Sequence, residues 1–323
     1  VIILLSFFSL MNFSEIKDNY FLSKKINLGL DLQGGSYLLL EVDSAPILKQ
    51  NLQQKLLNIR KFFKKNNIKY NNLELKNESI NFKLTNINFD EFNDIFLNKE
   101  NSINPYFPQY RSHEMNIIKE ENSIKIEYSK YGIIEMKISA LDQSLEIVRR
   151  RIDEVGVNEP TILRRGNDRI LIELPGLDDP NRIKKLLGKT ANLTFRLVSD
   201  SEDVFGSESL SYEDSDDKLN ISKRVLLSGD NLINAQPFFD KQSNQTVVNF
   251  TFDRSGAKKF ARATSNNVGK RLAIILDNKI ISAPVIREAI VSGSGQISGG
   301  FTFQSATDLA LLLRSGALPA PLS

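Results

Sequence analysis

The 323-residue chain has no cysteine and no tryptophan, and it has a single histidine, His113. Without thiols there can be no disulfide framework, no thiolate nucleophile and no cysteine-held metal. One histidine excludes a His-rich zinc centre and most histidine-based triads. An excess of one charge is also missing. The 42 Lys and Arg against 39 Asp and Glu leave +3, a balance that does not suggest a nucleic-acid binder. There is no long hydrophobic run. The uncharged stretch 1–13, VIILLSFFSLMNF, falls short of the roughly 20 apolar residues that a membrane-crossing helix needs. Because the chain opens on Val1, this stretch is read as the remnant of a longer transmembrane helix; no small-x-small cleavage site follows to make it a signal peptide. What is present is an ordinary globular balance, 41% hydrophobic and 25% charged, over a length that suits about two domains.

Periodicity sorts the chain into strands and helices. Residues 36–42 (SYLLLEV) read as a buried strand, and Ile47, Leu48, Leu52, Leu56, Ile59, Phe62 and Phe63 form a helical stripe over 46–67. Strands follow near 70–76 and 79–85 with a turn at Asn77, then a helix near 88–98 and strands near 114–119 and 123–128. That order is the split βαββαβ, ferredoxin-like pattern. Residues 139–156 predict the clearest helix, with Leu141, Leu145, Val148, Ile152 and Val155 on one face and Gly156 at its end. The run Arg149-Arg150-Arg151 on this helix reads as a solvated face opposite Glu146, Asp153 and Glu154.

Residues 169–174 predict a strand, Asp178 or Asp179 the cap of a helix with Pro180 near its start and Gly188 after its end, and 191–198 a further strand. Residues 200–217 hold eight carboxylates and no Lys or Arg, which reads as a solvated, mobile loop without EF-hand spacing. A new unit begins near Val225. It holds a strand at 246–252, a helix from Asp253 to Asn267, and a hairpin turning at Asn278. Gly293, Gly295, Gly299 and Gly300 precede a last helix, started by Ser305 with Asp308 and ended by Gly316.

Chemical motifs are sparse. Val268-Gly269-Lys270-Arg271 lacks the upstream glycine and the hydroxyl residue of a phosphate loop. Leu28-Gly29-Leu30-Asp31-Leu32-Gln33-Gly34-Gly35 leads into a strand instead of a helix, which argues against a dinucleotide site. Its glycines are expected to supply positive φ or close backbone approach. Asp31 and Glu173 can be imagined as a glycosidase pair, but nothing in their spacing supports it. His113, in a polar stretch, is expected at the surface. Nucleophile, base and metal cues are missing together, so the chain reads as a non-enzyme without catalytic, cofactor-binding or metal residues.

Four blocks carry a resemblance: LGLDLQGGSYLLLEVD from Leu28, VRRRIDEVGVNEPTILRRGNDRILIELPGLDDPNRIKKLLGKTANLTFRLV from Val148, VNFTFDRSGAKKFARATSNNVGKRLAIILDNKIISAPVIREAI from Val248, and FTFQSATDLALLLRSGALPAPL from Phe301. In this order they resemble the SecD family of accessory subunits of the bacterial Sec protein-export machinery. The resemblance is weakest over 50–135, where a long-form insertion is expected. It implies an α+β domain on the periplasmic side of the inner membrane, with a ferredoxin-like base at 26–199, an inserted α+β head at 200–293 and a return to the base at 294–323. It also implies that Gly29, Asp31, Gly34 and Gly35 are a structural motif, and that SecF, the SecYEG translocon and an unfolded preprotein are partners. A head that moves on its base needs a hinge, and Gly293, Gly295, Gly299 and Gly300 are the candidates. An efflux-type transporter related to the RND superfamily and an envelope hydrolase are the rival readings.

Overall fold

The computed structural model describes residues 35–121, 123–157, 159–175, 179–199 and 206–323. The run 1–13 and residues Gly29, Asp31 and Gly34 lie outside the described residues. Among the described residues, no helix is long and apolar enough to cross a membrane.

The chain enters through β1 (Gly35–Glu41) and then builds a first unit. Its elements are α1 (Ala45–Lys65), β2 (Tyr70–Lys76), β3 (Ser79–Leu84), α2 (Phe89–Phe96), the short β4 (Tyr106–Phe107) and β5 (Ser112–His113), β6 (Met115–Lys119) and β7 (Ile124–Tyr128). The sheet order is β2-β3-β7-β6, antiparallel throughout. The hairpin turns through Asn77 and Glu78, with φ of 49° and 56°, the pair of left-handed residues that a two-residue turn of matching twist requires. Apolar stripes of α1 and α2 close over the sheet. Phe63 meets Phe82 at 5.0 Å and Phe92 at 5.9 Å, and Phe92 stacks on Phe96 at 5.4 Å. Such ring pairs add roughly 0.5–1.5 kcal/mol each beyond their buried area. The expected βαββαβ order over 36–128 is corrected here, because β1 does not join this sheet. It pairs instead with a strand near residue 170.

That second sheet is formed with α3 (Lys130–Val155), β8 (Thr161–Arg165), β9 (Arg169–Pro175) and α4 (Pro180–Gly188). Its order is β1-β9-β8, antiparallel. On its other side β1 meets the chain's last residues: Val42 bridges Leu322, and the Glu41 and Ser323 amides exchange hydrogen bonds at 2.9 and 3.1 Å. Helix α3 starts nine residues earlier than expected. Ser129 caps it, its Oγ accepting from the Gly132 amide at 2.9 Å while donating to the His113 carbonyl at 2.7 Å. Gly132 is required there, since a Cβ would fall 2.1 Å from the Glu114 carbonyl oxygen. For α4, Asp179 is the cap and accepts from the Arg182 amide at 3.0 Å.

The third unit holds β10 (Leu193–Val198), β11 (Ser207–Ser211), β12 (Lys218–Ser228), β13 (Leu232–Asp240), β14 (Gln245–Phe252), α5 (Arg254–Ser265), β15 (Leu272–Leu276), β16 (Lys279–Ser282), β17 (Ser294–Ser298) and α6 (Phe303–Ser315). One sheet runs β11-β12-β10-β15-β16, and its edges meet at a Tyr212–Ile280 bridge, with Ile221, Ala273, Ile275 and Ile280 inside. The other runs β13-β14-β17. The acidic stretch is therefore not all loop: 207–211 pairs with β12, whose alternating Leu219 and Ile221 put apolar groups inward. The boundary expected at 199/200 cuts the first of these sheets, because β10 is its middle strand. The return expected at 294 likewise falls inside a sheet, because β17 pairs with β14. The last helix is capped by Thr302, whose Oγ1 accepts from the Ser305 amide at 3.1 Å, and not by Ser305. Phe195, Phe250, Phe252 and Phe260 form an aromatic cluster with centroids 5.2 to 6.2 Å apart. One apolar core runs from Leu40 and Ile172 through α3 and α6 to these rings.

Candidate functional site

Helix α6 packs against α3 on one side and against β13 and β14 on the other. This puts a cleft of about 500 Å³ between α4 and α6 and the turn that joins β11 to β12. Its floor is apolar, formed by Leu186, Leu276, Phe301, Leu309 and Leu312. Its rim carries both signs. Arg182 donates from Nη2 to Asp308 Oδ1 at 2.7 Å, and this bond holds the guanidinium above its ordinary basicity. Lys189 reaches across to Glu213 at 3.7 Å, and Lys185 and Asp214 complete the two walls. Half-exposed ion pairs like these contribute roughly 0–1 kcal/mol each, so they define the rim more than they hold it shut.

Beneath the cleft lies Arg151, whose side chain is completely buried. Its Nη1 donates to the carbonyls of Leu186, Leu187 and Lys189 at 2.8, 3.1 and 2.5 Å, and its Nη2 to Thr190 and Gly316 at 3.5 and 3.2 Å. One guanidinium thus satisfies carbonyls left over at the ends of both α4 and α6, which a helix cannot satisfy within itself. Burial pulls its pKa down to about 10, with Asp277 opposing the shift, so the group stays charged at neutral pH. Asp277 serves the other half of the same joint. It accepts from the amides of Ala191 and Asn192 at 3.0 and 2.8 Å and from the Thr190 hydroxyl. The solvated reading of the arginine run therefore holds for Arg149 and Arg150 but not for Arg151. Its position three residues after Val148, on the apolar face, was the available signal. Nearby, Arg314 donates from Nε and Nη2 to Glu154 at 2.5 to 3.2 Å and from Nη1 to the Ala235 carbonyl. That bonding holds the Glu154 carboxyl below its usual range.

The remaining candidates are dispersed. Gly35 opens β1 with φ of 150°, opposite Pro175, a conformation that side-chain-bearing residues rarely adopt. Gly35→Val is expected to lose at least about 1 kcal/mol in chemical denaturation, and an unchanged midpoint would show that backbone geometry is not its role. Glu173 sits on the outer face of β9 between Tyr37 and Thr161. His113 is half-buried instead of at the surface, edge-on to Tyr106 at 4.9 Å, and burial lowers its pKa.

Of the glycines proposed as a hinge, Gly293 has φ of 71° and a Cβ there would lie 2.4 Å from that of Ala257, while a Cβ at Gly295 would lie 2.5 Å from the Phe250 ring. These two are packed sites within or beside β17. Gly300 instead lines the cleft, with Asp214 3.6 Å from where a Cβ would be, and Gly299 lies under the Phe301 ring. No group of three or more potential metal-ligating side chains is gathered among the described residues.

Family comparisons fall on these same elements. The family described as "SecDF, P1 head subdomain" matches residues 207–320, "Protein translocase subunit SecDF, P1 domain, N-terminal" matches 141–200, and "SecD/SecF GG Motif" matches 20–46. The chain is 41% identical to the protein translocase subunit SecD of Rickettsia bellii over 323 residues, which is 97% of this chain and 60% of that protein. The chain belongs to the SecD family. The SecD of Acetobacter pasteurianus is 40% identical over 93% of this chain and 58% of its own length. A crystal structure of SecDF in a super-membrane-facing form superposes over 100% of this chain and 34% of its own, with a TM-score of 0.55 and 25% identity. The chain thus spans about 60% of the length of the SecD relatives it matches. The GG motif matched at 20–46 includes Gly35 and the start of β1.

Proposed function

We propose that this chain is the part of a SecD accessory subunit that lies on the periplasmic side of the inner membrane and holds segments of an exported, unfolded preprotein. The whole protein then works with SecF beside the SecYEG translocon, in export driven by the proton gradient, and performs no catalysis of its own. The observation that carries this reading is the cleft between α4, α6 and the β11–β12 turn. An apolar floor under a rim of both charges suits extended chains of varied sequence, because burial of apolar side chains is non-directional while the rim tolerates either sign. The antiparallel base is read as ferredoxin-like. In sequence, β1, α3, β8, β9, α4 and the terminal bridge at Leu322 follow βαββαβ order, which supports that reading with β1 in the middle of the sheet. Between β9 and the terminal bridge the third unit is the inserted head, and Gly299 with Gly300, beside the cleft, is the candidate pivot for its motion.

These 323 residues hold no cysteine, so, in a full-length protein with any cysteine outside them replaced by Ser, Lys189 and Glu213 can each be replaced by Cys and joined with a membrane-impermeant bismaleimide. We expect the crosslink to form from the periplasmic side, to leave the fold intact and to impair late export. Failure of the reagent to reach the pair on intact cells would overturn the orientation. Full export with the crosslink closed would overturn the cleft as a working part.

A further inference from the structure

On the face of the third unit that carries α5, the charge balance of the chain breaks down. From Arg254 to Leu276 there are six Lys and Arg and no Asp or Glu. Helix α5 buries Gly256, Phe260 and Thr264 and exposes Arg254, Lys258, Lys259 and Arg262. Arg254, Lys258 and Arg262 follow each other at i, i+4 and i+8, a spacing at which like charges on a helix repel. Two of them stand in the first half of the helix, where the macrodipole disfavours cations, and no acidic residue stands in the first turn. Helix stability therefore gives no reason for this stripe. On α3, by contrast, Arg149 is paired with Glu146 at 2.9 Å.

The stripe borders a groove of about 370 Å³ between α5 and β12. Arg224, Lys259 and Arg262 line it, together with Ser222 and Asn266, and no carboxylate among the described residues does. Those three cations equal the net charge of the entire chain. Among the described residues, neither the Arg224 nor the Arg262 guanidinium has a hydrogen-bond or ion-pair partner. The groove is thus rich in donors and poor in acceptors. Val225 in its wall and Val268 beyond the helix are about half exposed, at 43% and 52%. Forked guanidinium donors match the oxygens of a phosphate group. Apolar side chains set among cations match the boundary between headgroup and acyl chain, where basic amphipathic surfaces settle.

We propose that the α5–β12 face is a docking surface for the anionic phospholipid bilayer, with the groove seating a lipid phosphate. The surface is separate from the cleft and does not depend on what the cleft holds. An acidic peptide would satisfy the cations but leaves the two valines without a role, so the bilayer is the better match.

The test uses the whole chain and phosphatidylglycerol-containing vesicles, with pure phosphatidylcholine vesicles as reference. Any contribution of residues 1–13 is common to all variants. Reversing the groove (Arg224→Glu, Lys259→Glu, Arg262→Glu) is expected to weaken partition into the anionic vesicles at least about tenfold, since each cation near such a surface contributes measurably. Reversing three exposed cations on α1 (Arg60→Glu, Lys61→Glu, Lys64→Glu) is expected to change it far less. In the otherwise unaltered chain, a fluorophore on Ser265→Cys should be quenched by nitroxide-headgroup lipid, and one on Asn77→Cys should not. Equal losses in the two triple variants, or equal quenching at both labels, would overturn the proposal. So would displacement from vesicles by inorganic phosphate at millimolar level, which would make the site one for free anions. Tighter binding of polyglutamate than of vesicles at this face would assign it to acidic peptides instead.

Discussion

Arg151→Met is expected to lower the stability of the chain by about 3–5 kcal/mol, the range for removing one member of a buried charged network. The size follows from what the guanidinium leaves behind. Five carbonyls, from the ends of α4 and α6 and the segment between α4 and β10, lose their donor, those of Leu186 and Leu187 in buried bonds and the other three in part-buried ones. Methionine fills much of the volume but donates nothing, and unsatisfied buried acceptors cost about 1–3 kcal/mol each before relaxation. Arg151→Lys keeps the charge yet has one nitrogen for carbonyls spread over two helix ends, so it should recover only part of the loss. The chain lacks tryptophan, so far-UV circular dichroism in a urea titration is the suitable probe. A loss under about 1 kcal/mol, ordinary for a surface position, would mean that the network does not hold these elements together.

Gly293→Ala is expected to cost about 2–4 kcal/mol, combining a left-handed backbone with an overpacked contact. The residue sits at φ of 71°, and its new methyl group would meet the Ala257 Cβ at 2.4 Å. The outcome separates two roles for the same glycine. A free hinge residue would lose little native stability on gaining a methyl group and would alter motion instead. A packed one loses native stability directly. Relief of the contact by Ala257→Gly in the double variant should restore part of the loss, and additive effects of the two substitutions would argue against a direct clash. With Gly293 and Gly295 packed, Gly299 and Gly300 beside the cleft are the two hinge candidates left for the proposed motion of the head.

Local signals in the sequence were dependable here. The stripe of α1, the turns at Asn77 and Asn278 and the caps Asp179 and Asp253 depend on residues within a few positions of each other, and each appears where its spacing put it. Choices of partner were not legible. β1 is separated from the strands of the first unit only by the 21-residue α1, yet it pairs with β9 because Leu40, opposite Ile170, and Leu38, opposite Ile172, complete a core whose other members come much later. Strand β13 went unread because Pro237 and polar neighbours break its alternation, although its pairing with β14 overrides that local preference. The cleft could not be read at all, since its walls come from segments near 180, 213, 276 and 305 that only the packing of α6 brings together. Membership of the SecD family was legible because it rests on ordered blocks of residues, which survive without knowledge of their contacts.

The bonds between Glu41 and Ser323 also impose an order of assembly. They join positions separated by nearly the whole described chain, and the strand they complete is itself paired to β9 across the entire first unit. Loop closure over such distances is slow unless intervening segments are already compact. The first unit has its own phenylalanine core and needs nothing from residues beyond α3 to form it. In a chain emerging from its N-terminus, that unit is expected to gain hydrogen-exchange protection early. The sheet around β1 should stay incomplete until residues 322 and 323 arrive, so a strand made before the first unit is finished well after it.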